Sequence, residues 1–174
     1  MKKSLLFFFL LYSILTFAQK VDTICFYRSS NIAFYLDTYQ DWTHSINNAK
    51  RIGENAKIYP IVDNLKNEVP VIYVSTLQID DTSISNRLTL DYKLARKENR
   101  KYQKHGLWFK HDIYKTFSQT LFIRDKINRI IIYLNPVIDN LLISFELVIK
   151  NRLATREELE YLSKTITSFR KMTQ

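Results

Sequence analysis

The stretch 128–150, NRIIIYLNPVIDNLLISFELVIK, constrains the fold of this chain more than any other part of its sequence. From residue 141 to 150 apolar and more polar residues alternate, which is typical of a β-strand with one face in a core. Residues 130–134 are apolar on both faces and rich in β-branched side chains, so we expect a strand covered on both sides. Pro136 cannot donate a ladder hydrogen bond and should end that strand, and Asn140 favours the turn that returns the chain as a hairpin.

Residues 1–18 have the layout of a secretory signal peptide. Lys2 and Lys3 precede an apolar run that is shorter than the roughly 20 residues a membrane-spanning helix needs, and Ala18 follows as a cleavage position. The ending TFAQ resembles signal peptides of the Bacteroidetes. We therefore expect a cleaved leader and a periplasmic or secreted chain of residues 19–174. A contact with the membrane is expected only if the leader stays uncleaved.

The composition favours a single folded domain in 19–174. At 46% hydrophobic and 14% aromatic residues the chain is too apolar for disorder, and one cysteine excludes an internal disulfide. Only 2 glycines argue against glycine-rich phosphate loops, and we expect no cofactor. The net charge of +9 suits an anionic lipid, glycan or protein partner in the envelope. Nucleic acid is not an expected partner after export, and solubility alone is the alternative explanation of the charge.

Periodicity predicts the remaining elements. A capping box, Thr155-x-x-Glu158, marks the start of a C-terminal helix. The other predictions are a broken strand over 24–36, a helix from an N-cap at Asp41 to Gly53, strands over 56–61, 71–79 and 117–123, and a long helix over 86–105. Consecutive strands joined by short turns indicate the α+β class, with a mainly antiparallel sheet of about six strands and helices packed on it.

One part of this pattern resembles a known family. The order of a strand, a helix, the segment AKIYPI, a polar loop and the segment PVIYVSTLQ looks like small exported bacterial domains of the PsbP-like type. The resemblance implies a long helix, a run of antiparallel strands and a C-terminal helix. It also implies an accessory or binding role without a catalytic constellation. No site residues are transferred, because there is no defining site motif to match.

A basic stripe is the sequence feature that most suggests binding. On the predicted helix 86–105 six cations fall on one side, relieved only by Glu98 nearby, and an aromatic residue follows shortly after. The candidate surface for an anionic partner consists of Lys93, Arg96, Lys97, Arg100, Lys101, Lys104 and Trp108. Such a face can dock an anionic surface, although a solvated helix face has the same composition.

Catalysis and metal binding find little support in the sequence. A thiol hydrolase would need Cys25 beside one of the three histidines, whereas a small apolar residue in a strand explains Cys25 without function. The spacing of His105, His111 and Asp112 matches no known ligand pattern, so we expect no metal and no catalytic residues. We predict a non-enzymatic exported protein that binds a protein or anionic envelope partner. The alternatives are an immunity or inhibitor protein against a secreted toxin, and a small secreted hydrolase that uses Cys25.

Overall fold

A computed structural model describes residues 21–29, 32–39, 41–47, 56–61, 69–78, 84–97, 101–104, 109–123, 127–138 and 140–173 of the chain. These ranges contain two helices and ten strands. The helices are α1 (Ile84–Lys97) and α2 (Arg156–Thr167). The strands are β1 (Asp22–Ser29), β2 (Ile32–Thr38), β3 (Trp42–Ser45), β4 (Ala56–Pro60), β5 (Val71–Gln78), β6 (Lys101–Lys104), β7 (Thr116–Ile123), β8 (Ile127–Leu134), β9 (Leu141–Lys150) and β10 (Arg170–Thr173).

The hairpin β8–β9 lies at the centre of the larger sheet, as the sequence predicts. This sheet has seven strands in the order β3-β4-β5-β9-β8-β7-β6, and every neighbouring pair is antiparallel. Ile132 of β8 lies opposite Phe145 of β9, and both side chains are fully buried. Tyr133 and Ile131 are buried on the other face, so the expectation that β8 is covered on both sides is confirmed.

A second sheet of three strands, in the order β1-β2-β10, closes the core from the other side. Phe34 of β2 stacks on Phe169, with ring centroids 5.5 Å apart. Phe169 in turn meets Phe145 of the larger sheet edge-on at 6.1 Å. The inner faces of the two sheets and the apolar stripe of α2 thus share one core, which includes Leu162 and Ile166. Two antiparallel sheets with packed helices confirm the α+β class.

The capping box at the start of α2 is confirmed. The Thr155 hydroxyl accepts a bond from the Glu158 amide at 3.2 Å, and the Glu158 carboxylate accepts one from the Thr155 amide at 2.8 Å. Arg152 binds the same carboxylate through two nitrogens, at 2.5 and 2.9 Å. Burial alone would raise the pKa of Glu158, but the bonds from Arg152 and Thr155 outweigh burial and lower that pKa below its ordinary value.

The predicted helix from Asp41 to Gly53 is wrong over Trp42–Ser45, which form strand β3. Asp41 adopts a positive φ of 72°, and its carbonyl accepts a bond from the Ile61 amide at 2.7 Å. Trp42 is thereby placed opposite Pro60 in a two-stranded pairing that continues to Ser45. A tertiary pairing overrides the local N-cap signal here. Residues 46 and 47 are helical, and 48–55 lie outside the described residues.

The long helix predicted over 86–105 is also too long, because α1 ends at Lys97. Residues Lys101–Lys104 form β6, which pairs with β7 at the edge of the larger sheet. Strand β10, which the sequence analysis did not predict, pairs with β2. Helix α1 has 14 residues and α2 has 12, so both are shorter than a membrane-spanning helix. Within the described ranges no helix has both the length and the apolar character needed to cross a membrane.

Candidate binding surface

A buried polar network fixes α1 to the outer face of the larger sheet. The Tyr133 hydroxyl of β8 donates to the Asp91 carboxylate of α1 at 2.5 Å. Arg87, one turn earlier, lies 3.2 Å from the other carboxylate oxygen of Asp91, and its guanidinium lies 5.7 Å from the centre of the Tyr133 ring. Asp91 is only 7% exposed and Tyr133 only 2%, so the charge and the phenol are withdrawn from water together.

The electrostatics of this network keep Tyr133 a hydrogen-bond donor. Burial raises the pKa of Tyr133 far above its ordinary value, and the negative charge of Asp91 raises it further. The phenol therefore stays protonated at every physiological pH and donates to a carboxylate, which is a stronger bond than one between neutral groups. The network sets both the position and the rotation of α1 on the sheet.

One flank of α1, beside this network, presents apolar and basic side chains together. Residues 90, 93, 94 and 97 follow the i, i+3, i+4, i+7 spacing that places them on one helix face. We call this set the α1 outer face: Leu90, Lys93, Leu94 and Lys97. The two leucines are 48% and 47% exposed, and both lysines are exposed. Exposed leucines in a cationic rim form a surface that can both attract and hold an acidic partner.

Only some of the residues in the predicted basic stripe lie on α1. Lys93, Arg96 and Lys97 are exposed there, and the last two lie in the final turn, where cations favour the helix dipole. Lys101 and Lys104 belong to strand β6, so the prediction that all six cations share one helix face is wrong. Arg100 and Trp108 lie outside the described residues.

The two exposed leucines were not predicted as part of a binding surface. Hydrophobicity alone would place Tyr92 inside and Asp91 outside, whereas Tyr92 is 45% exposed and Asp91 is buried. The burial of Asp91 is stabilised by its bonds to Tyr133 and Arg87, which no local sequence pattern shows. A signal was present, since Leu90 and Leu94 are spaced like a second apolar pair on the helix.

Cys25 has no catalytic neighbour among the residues that the structure describes. It lies half-buried in β1 opposite Tyr35. His44 instead contacts Asp22, with 3.5 Å between the ring nitrogen and the carboxylate, and His111 bonds to the Phe169 carbonyl. These contacts do not assemble a thiol–imidazole pair.

His111 has a structural role in the described region. Its Nδ1 accepts bonds from the amides of Ile113 and Tyr114 at 3.1 and 3.2 Å, and its Nε2 lies 2.8 Å from the Phe169 carbonyl oxygen. The ring thus ties the 109–115 segment to the end of α2. Within the described ranges no three His, Cys, Asp or Glu side chains lie close enough together to hold a metal ion.

The sheet order and the packed helices define the α+β class. The fold of the chain is similar to that of a solved structure. The solution structure of cyanobacterial PsbP (CyanoP) from Synechocystis sp. PCC 6803 matches it with a TM-score of 0.50 at 10% sequence identity. The match covers 86% of this chain and 91% of that chain. No family model and no curated protein matches the chain. The likeness confirms the PsbP-like fold and, at this identity, shows the fold alone.

Proposed function

We propose that this chain is a non-enzymatic accessory protein, exported by the cleaved leader 1–18, that binds an acidic protein of the cell envelope through the α1 outer face. The observation that carries the proposal is the pair of half-exposed leucines beside two exposed lysines on a helix anchored by a buried network. The net charge, which is +9 for the full sequence and +7 without Lys2 and Lys3 of the leader, and the PsbP-like fold agree with it.

The α1 outer face has the properties of a small docking surface. Leu90 and Leu94 supply apolar area, and Lys93 and Lys97 supply charge beside them. Apolar contact gives such an interface its affinity, and the cations steer the encounter and select an acidic surface. Because α1 is held to the sheet by Asp91, the face is formed before binding and little conformational entropy is lost in ordering it.

Site-specific photo-crosslinking in the host envelope tests the proposal. A photoreactive residue placed at Leu94 should form one dominant product with a protein, and the same residue at Leu153 should not. Leu153 is a matched control because it is 68% exposed but lies away from α1. Charge reversal at Lys93 and Lys97 should abolish the product, since repulsion replaces attraction at the rim.

A control with a second pair of lysines distinguishes the effect of charge on α1 from the effect of the net charge of the protein. Lys110 and Lys115 are exposed and lie outside α1, so their replacement by glutamate changes the net charge equally and should leave the product intact. Equal crosslinking at Leu94 and Leu153, or equal loss from both charge reversals, would contradict the assignment of the surface. A product formed with lipid alone would contradict the protein partner.

A further inference from the structure

A groove of about 510 Å³ runs between α2 and the ends of strands β3 and β4. Its lining on α2 extends from Thr155 to Lys164, which at 1.5 Å per residue gives a length of about 14 Å. Pro60 and Pro70 line it on the side of the larger sheet, and neither residue has a backbone amide to donate. The groove lies apart from α1, since none of its lining residues belongs to that helix.

Three aromatic rings are fixed in the wall of this groove. The Trp42 indole stacks on the Tyr161 ring at 4.0 Å with planes only 12° apart. The Tyr39 ring meets Tyr161 edge-on at 6.2 Å, and the Tyr161 hydroxyl accepts a bond from the Tyr39 amide at 3.1 Å. Trp42 and Tyr39 remain partly exposed, whereas Tyr161 is buried behind them. A rigid aromatic wall of this kind offers apolar contact at a low entropic cost.

The groove is acidic although the chain as a whole is strongly basic. Four carboxylates and one lysine line it. Two of those carboxylates are balanced, Glu158 by Arg152 and Glu160 by Arg156 at 2.7 Å. The other two, Asp41 and Glu157, are exposed and form no ion pair within the described part of the chain. Two carboxylates against the single lysine, Lys164, leave the lining with a net negative charge, so charge complementarity favours a cationic occupant.

We propose that this groove binds an extended polypeptide segment that carries lysine or arginine. The length of about 14 Å accommodates about four residues of extended chain at 3.3 Å each. A cationic side chain of the segment meets Asp41 and Glu157, and its aliphatic stem lies along Trp42 and the prolines. The groove and the α1 outer face thus select ligands of opposite charge.

Titration followed by heteronuclear NMR tests the proposal on the mature chain. The probe is a blocked hexapeptide of alternating lysine and alanine, and the reporter is the indole cross-peak of Trp42, assigned with Trp108→Phe. The peptide should shift this cross-peak saturably. The same peptide with glutamate in place of lysine, and choline as a small cation, should leave it unchanged.

Variants in which a carboxylate is replaced by the corresponding amide test the role of the acidic residues, inside the groove and outside it. The double change Asp41→Asn and Glu157→Gln should weaken peptide binding about tenfold, because two exposed ion pairs are lost. Asn tolerates the positive φ of Asp41, so the turn is kept. Asp112→Asn, an exposed carboxylate outside the groove, should leave the affinity unchanged. No shift with the lysine peptide, equal shifts with choline, or equal weakening by Asp112→Asn would overturn the proposal.

Discussion

Replacing Tyr133 with phenylalanine removes one hydroxyl from the network that holds α1 on the sheet. The lost bond is 2.5 Å long and runs to a carboxylate that is 7% exposed. Hydrogen bonds to charged groups contribute about 1.5–3 kcal/mol, and Asp91 retains Arg87 as a partner, so we expect a loss of about 2 kcal/mol in the free energy of unfolding. The ring itself stays in place, so the change creates no cavity.

Urea unfolding followed by circular dichroism measures this loss. Tyr114→Phe is the matched control, because the Tyr114 hydroxyl forms no hydrogen bond among the described residues and its removal should cost less than about 0.5 kcal/mol. In a double-mutant cycle with Asp91→Ala the two losses should not add, since each change removes the same bond. A Tyr133→Phe protein as stable as the Tyr114→Phe control, or strict additivity in the cycle, would refute the assigned role of the network.

Further changes test other parts of the fold. Phe145→Ala, at a fully buried position of β9, should cost about 3–5 kcal/mol in urea unfolding. Val137 has a φ of 57° and is 76% exposed, so Val137→Asn should raise the unfolding free energy by about 0.5–1 kcal/mol, and a loss would show that the strain is absent. The folded-state pKa of Glu158 is depressed, so its stabilisation is present above its ordinary value of 4.5 and is lost as pH falls through the folded pKa. The stability difference between wild type and Glu158→Gln should therefore shrink below about pH 4.5, and a constant difference would contradict the ion pair with Arg152.

The sequence predicts the parts of the fold that local chemistry determines. The alternation along residues 141–150 predicts one buried face, and the structure has it, although Leu142 and Ser144 on the other face are buried as well. Thr155 and Glu158 lie three residues apart, and the side chain of each accepts a hydrogen bond from the backbone amide of the other. This capping box involves no distant residue. In both cases the signal and the structure arise within one element, and the predictions are confirmed.

The errors occur where distant residues decide the structure. Trp42 looks like the start of a helix, but it pairs with Pro60 and stacks on Tyr161, far along the chain. Strand β6 continues the charge pattern of a helix, and only pairing with β7 makes it a strand. The groove collects its lining from four separated segments, so no local pattern reveals it. The exposed leucines of α1 follow from a hydrogen bond between α1 and β8.

The central claim is that the α1 outer face binds an acidic partner, and the affinity of the crosslinked partner as a function of salt tests it most directly. For the wild-type chain the affinity should fall roughly tenfold between 0.05 and 0.5 M salt as the charges are screened. The Lys93→Glu/Lys97→Glu chain should bind at least tenfold more weakly at low salt, and its affinity should not fall as salt rises. An affinity that is independent of salt and equal in the two chains would contradict the account.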